Sequence, residues 1–215
     1  MELLTDLPVA WVTGVVVALA VLFTGSWAGA LVTVAHEGGH VAVAALTGRR
    51  PAGFRVHEGV GGGVTRFAGS WGPGLVFVYL AGYVTPPLLG LGGAWLVLDG
   101  RAWVVLWGAV LLLAGVLFLA ETAFTWVLVV LAGAGIGWAA LRGAPDVRDL
   151  LATGLVWLML LGGVWSLRGQ GWGRRGSDAA QLAANTLVPR AFWVLTFWGV
   201  ALGCLWFGGR AQLEL

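Results

Sequence analysis

Runs of about 20 consecutive apolar residues recur along this chain, and a helix of that length is what crosses the hydrocarbon core of a bilayer. They fall at about 8–24, 27–47, 75–98, 102–120, 122–141, 150–167 and 191–208. Inside lipid every backbone polar group must pair within the protein, so serial apolar runs imply helices. A soluble domain of 215 residues also needs a polar surface, and a chain that is 59% hydrophobic and 10% charged does not supply one. The expected fold class is an all-α polytopic membrane protein of about seven transmembrane helices. It forms a single membrane-embedded domain over residues 1–215, with the lipid bilayer as its first partner.

The rest of the composition agrees with a bilayer setting. Fourteen tryptophans suit membrane interfaces, and 36 glycines suit close helix packing. The net charge of +2, carried by arginine with no lysine, gives no reason to expect nucleic acid as a partner. Cys204 is the single cysteine, which excludes an intramolecular disulfide framework. Glu2 and Asp6 precede the first apolar run and no basic residue does, so Ala28-Gly29-Ala30 is not expected to be a signal cleavage site. The first run is kept as a mature helix.

Two segments interrupt the apolar pattern. In 48–72, Phe54-Arg55-Val56-His57 and Val64-Thr65-Arg66-Phe67 flank turn material at Gly59 and Gly61-Gly62-Gly63, which predicts a short β-hairpin after the second span. In 168–190, a Gly/Arg-rich loop leads into Ser177-Asp178-Ala179-Ala180-Gln181, a helix start with Ser177 or Asp178 as N-cap. With seven spans these segments share one side of the membrane. That side holds Arg49, Arg50, Arg55, Arg66, Arg168, Arg174, Arg175 and Arg190, against Arg101, Arg142, Arg148 and Arg210 opposite. The positive-inside rule then places the hairpin and the N-terminus in the cytoplasm.

The second span contains His36-Glu37-Gly38-Gly39-His40. Positions i and i+4 share a helix face, so the two imidazoles can hold one metal ion, with Glu37 beside them as general base for a metal-activated water. Zinc brings the pKa of such a water toward about 7, so the implied chemistry is hydrolysis of an amide bond. Two histidines and a carboxylate in a lipid-spanning segment are expensive and point to function. A purely structural role in interhelical hydrogen bonding is the bland alternative. Gly38 and Gly39 would let another helix or a substrate backbone approach the metal face.

Ala35-His36-Glu37-Gly38-Gly39-His40-Val41-Ala42, with the arginine-bearing turn and hairpin that follow, resembles the site-2 protease family of intramembrane zinc metalloproteases. More narrowly, it resembles the compact bacterial proteins of this kind common in actinobacteria, and the likeness covers roughly 27–90 and the Ser177-Asp178-Ala179 neighbourhood. The resemblance implies a zinc site within a bacterial plasma membrane, open toward the cytoplasm. It also implies cleavage of a transmembrane protein or membrane-proximal peptide, with His36 and His40 as metal ligands and Glu37 as base.

A catalytic zinc usually has three protein ligands. His57, the only other histidine, lies in the hairpin, which should stand outside the bilayer core, so a carboxylate is expected. The family usually supplies an aspartate from a Leu-Asp-Gly motif, which Leu98-Asp99-Gly100 matches in letters. Asp99 falls at the far end of the third span, however, well over roughly 10 Å from the metal level by helical rise. Asp178 lies on the correct side, and the family resemblance extends to Ser177-Asp178-Ala179, although its loop or short helix would have to dip into the membrane. Asp178 is therefore favoured as third ligand, with Asp99, Glu58 and Glu121 as alternatives.

Lesser signals surround this core. His57 could contact an extended substrate added to the hairpin as a strand. Thr85-Pro86-Pro87 should break or kink the third span near the metal's depth, turning freed carbonyls, Tyr83 or Thr85 toward the site. Asn185 could stabilise an oxyanion. Glu121 reads as a boundary residue between two spans. The leading reading is an intramembrane zinc endopeptidase. The alternative is a catalytically silent relative that binds a membrane partner and keeps a structural zinc.

Overall fold

The structure, a computed structural model, describes residues 9–23, 25–57, 62–68, 72–170 and 176–213. Seven long helices and one short one account for most of it. They are α1 (Val9–Phe23), α2 (Gly25–Leu46), α3 (Gly74–Leu98), α4 (Ala102–Leu117), α5 (Ala123–Arg142), α6 (Pro145–Ser166), the short α7 (Asp178–Asn185) and α8 (Arg190–Leu213). Two antiparallel strands, β1 (Pro51–His57) and β2 (Gly62–Phe67), form the expected hairpin between α2 and α3. Glu58, Gly59 and Gly61 at its turn, and Arg174 and Arg175 in the later loop, lie outside the described residues. Among the described residues five helices are long and apolar enough to cross a membrane, namely α2, α3, α5, α6 and α8, whereas α1 and α4 have 15 and 16 residues. Large apolar side chains such as Trp95, Trp103, Trp138 and Phe207 face outward, as they do where the surrounding medium is lipid.

Helix α3 lies at the centre, packed on α2, α6 and α8. Small residues set these contacts. A Cβ on Gly90 would come within 2.8 Å of Leu160, and one on Gly39 would come within 3.0 Å of the Ala81 carbonyl. The backbones therefore approach to a distance that larger side chains would forbid.

Four expectations need correction. Helix α3 runs unbroken through Pro86 and Pro87. The missing donors are tolerated where both rings are buried, with Pro87 in contact range of Gly163 on α6. Helix α4 stops at Leu117 rather than near 120, because the next residues turn to pair with β1. The Phe54 amide donates to the Leu119 carbonyl at 2.7 Å, and the Glu121 amide donates to the Phe54 carbonyl at 2.9 Å. Helix α6 begins at Pro145, a residue suited to a first helical turn, and takes in the polar stretch to Asp149. The hairpin, expected outside the bilayer core, runs back along α2, with Gly63 against Thr33 and Glu37. Thr33 is 13 residues before the end of α2, roughly 20 Å along the helix.

Candidate metal centre

His36 and His40 stand one turn apart on α2, and their Nε2 atoms are 3.2 Å from each other. The third group arrives from α7. The Ser177 hydroxyl accepts from the Ala180 amide and starts the helix, so Asp178 occupies its first position. Ala179 and Leu182 are fully buried in a cluster with Phe197 and Ala201 of α8, and this seats the short helix at the depth of the histidines. Asp178 Oδ2 lies 3.3 Å from His36 Nε2 and 3.4 Å from His40 Nε2. Among the described residues these three form the one cluster with metal-ligand geometry.

The triangle fits zinc. Atoms each about 2.0–2.1 Å from a tetrahedral ion are about 3.3–3.4 Å apart, and the three separations here are 3.2, 3.3 and 3.4 Å. Oδ2 of Asp178 is also buried and accepts no well-directed hydrogen bond, although it faces two nitrogens. His40 Nδ1 is 2.7 Å from the Val78 carbonyl. A proton on Nδ1 leaves the Nε2 lone pair free, the usual way a ligating imidazole is oriented.

Neighbouring residues shape the cavity for these groups. A Cβ on Gly82 would be 2.5 Å from His40 Nε2 and 2.7 Å from His36 Cε1. The Tyr83 ring stands edge-on to His36 at 4.3 Å and also meets Phe197. Prolines at 86 and 87 leave the Gly82 and Tyr83 carbonyls without their helical donors. Glu37 is buried, and its Oε2 accepts from the Thr65 hydroxyl at 2.6 Å. Gly63 leaves room beside Oε1, where a Cβ would come within 2.8 Å.

The remaining candidates lie elsewhere. Thr85 sits against Gly39 at the α2–α3 contact. His57 Nδ1 is 3.2 Å from the Gly62 carbonyl across the hairpin, and its side chain is exposed. The Asn185 amide donates to the Gln181 carbonyl one turn back, exposed and seven residues beyond Asp178. Asp99 caps α3 in an exposed ion pair with Arg101 at 2.9 Å, roughly 25 Å by helical rise from Gly82. Glu121 pairs with Arg55 and Arg66 of the hairpin. Gly82, Gly63, Thr65 and the Val78 carbonyl escaped the sequence reading. For Gly82 the available signal was a small residue beside Tyr83, four positions before a proline.

A family model described as Peptidase M50B-like matches residues 9–208 of the chain. No curated protein and no solved structure matches it.

Proposed function

We propose, from the premise that the chain belongs to the M50B-like, site-2 protease family of peptidases, that it is an intramembrane zinc endopeptidase. The observation that carries this is the His36–His40–Asp178 triangle, whose edges match a tetrahedral zinc site. Zinc held there by the two Nε2 atoms and Oδ2 would supply a Lewis acid and bring the pKa of water toward neutrality. Glu37 follows His36 directly and serves as the base. With Oε2 engaged by Thr65, Oε1 is left to take a proton from the attacking water and return it to the leaving amine. The net change is addition of water across the peptide bond.

The substrate is a transmembrane protein or a membrane-proximal peptide in extended form. The outer edge of β1 is taken by Leu119–Glu121 and by the Thr125 hydroxyl, which accepts from the Val56 amide. Among the described residues β2 has no backbone partner beyond β1, which leaves its edge for an added strand next to Glu37. His57 and Tyr83 border that path, one at the hairpin end and one at the metal, while Thr85 and Asn185 drop to secondary roles. The arginine bias supports a cytoplasmic hairpin side, in a bacterial plasma membrane.

The test is zinc content and proteolysis on protein purified in detergent. Wild type should hold one zinc per chain and cleave a fluorescently labelled unstructured polypeptide. His40→Ala and Asp178→Ala should lose zinc, Asp99→Ala should keep it, and Glu37→Gln should keep zinc and lose cleavage. A wild type that takes up no supplied zinc would sink the proposal. Zinc without cleavage, with Glu37→Gln indistinguishable from wild type in the cell, would favour the silent partner-binding relative.

A further inference from the structure

The Glu121 carboxylate reaches further than a boundary residue needs to. Its own backbone segment lies beside β1. Its side chain pairs with Arg55 on β1, at 3.2 Å, and continues across to Arg66 on β2. It passes over Gly53, and a Cβ at that position would collide with Oε1. Gly53 pairs with Arg66 in the hairpin register and Arg55 pairs with Val64, so both arginines stand on one face of the hairpin. The other face carries Phe54 and Val56, both buried, and Thr65, which holds Glu37.

Arg66 and Thr65 are consecutive on one strand and point to opposite faces. A force that fixes Arg66 laterally therefore fixes Thr65. We propose that Glu121 is a positioning residue: by tying the α4–α5 connection to both strands, its carboxylate seats β2 so that Thr65 and Gly63 hold Glu37 in line. This rests on the reading of Glu37 as the base. The backbone bonds to Phe54 register the connection against β1, and among the described residues the Glu121 side chain is its direct tie to β2. Gly53 is the opening through which that coupling passes.

Hydrogen–deuterium exchange of the zinc-loaded protein in detergent reads the clamp without needing activity. Glu121→Gln should speed exchange across Gly62–Phe67 by about fivefold, the effect of losing two part-exposed ion pairs. Zinc content and exchange in α2 and α7 should stay at wild-type values. Arg66→Gln should act similarly, and the double variant should be no faster than Glu121→Gln alone, because the two groups act through each other. In a cleavage assay on the labelled polypeptide, Glu121→Gln should lower kcat several-fold at full zinc occupancy. Unchanged exchange in Glu121→Gln overturns the proposal, and so does faster exchange with undiminished kcat. Faster exchange in a protein whose wild type binds zinc and cleaves nothing would leave the clamp standing and remove the protease reading instead.

Discussion

At the scale of single residues the centre depends on what is missing from a side chain. Residue 82 faces both imidazoles so closely that a methyl group would overlap them. Helix α3 cannot retreat, because α6 and α8 back it. Gly82→Ala should therefore push the histidines off the common point and weaken zinc binding about tenfold or more, the size typical of damage to a ligand's supporting surroundings. A competition titration against a chelator would show it, and wild-type affinity would mean that the triangle is not the metal site. Thr65 makes the complementary case. Thr65→Val keeps the shape and removes the donor to a buried carboxylate. A hydrogen bond to a charged group contributes about 1.5–3 kcal/mol, so cleavage should fall about tenfold or more while zinc stoichiometry stays the same. Loss of zinc along with activity would show Thr65 to be structural instead.

At the scale of elements the short helix α7 is the weakest link in the ligand set. Eight residues do not make a stable helix by propensity alone, so its place depends on the buried pair Ala179 and Leu182 and on the Ser177 cap. Arg190 also donates to that hydroxyl at 3.2 Å. Removing such a cap costs about 1 kcal/mol, and Asp178 is the next residue. Ser177→Ala should thus weaken zinc several-fold with His36 and His40 untouched, measurable by the same titration; an unchanged affinity would assign the seating of α7 to packing alone. The elements also show what a sequence reveals. Apolar runs and the His-x-x-x-His spacing are local, so the helices, the hairpin and the pairing of His36 with His40 could be anticipated. The end of α4 could not, since Phe118-Leu119-Ala120 is as apolar as what precedes it and only its pairing with Phe54 stops the helix. Nor could the continuity of α3 through Pro86 and Pro87, both of them buried, with Pro87 against α6. That Asp178 comes within reach of the imidazoles depends on the depth of α7, a tertiary property; sequence supplied the side of the membrane, an aspartate at a helix start and a family resemblance around Ser177-Asp178-Ala179. Gly82 was one glycine among 36.

At the scale of the whole molecule the two short helices decide the topology. Helix α4, 16 residues, rises roughly 24 Å against a hydrocarbon core of about 30 Å. Its direction is nonetheless fixed at both ends. It starts just after the exposed Asp99–Arg101 turn at the end of α3, and it ends with Val116 facing Gly38 and with Leu119–Glu121 joined to the hairpin. It therefore runs from the far side to the level of the metal motif, and the hairpin fills the depth that it leaves. Helix α1 is antiparallel to α6: the Trp157 indole donates to the Ala10 carbonyl, while Gly154, earlier on α6, faces Thr13, later on α1. Its first residues thus point toward the hairpin side. From this we predict seven crossings. In a background where Cys204 is replaced by alanine, single cysteines at exposed positions 101 and 147 should both react with a membrane-impermeant maleimide on intact cells. One at 187, and an N-terminal tag, should become accessible only after permeabilisation. If α4 merely re-entered the membrane, α5 would carry the chain back the other way and positions 101 and 147 would label from opposite sides. If α1 failed to cross, the tag would part company with position 187. Agreement of all four would place the arginine-rich face, with its open β2 edge and the approach to Glu37, on the cytoplasmic side.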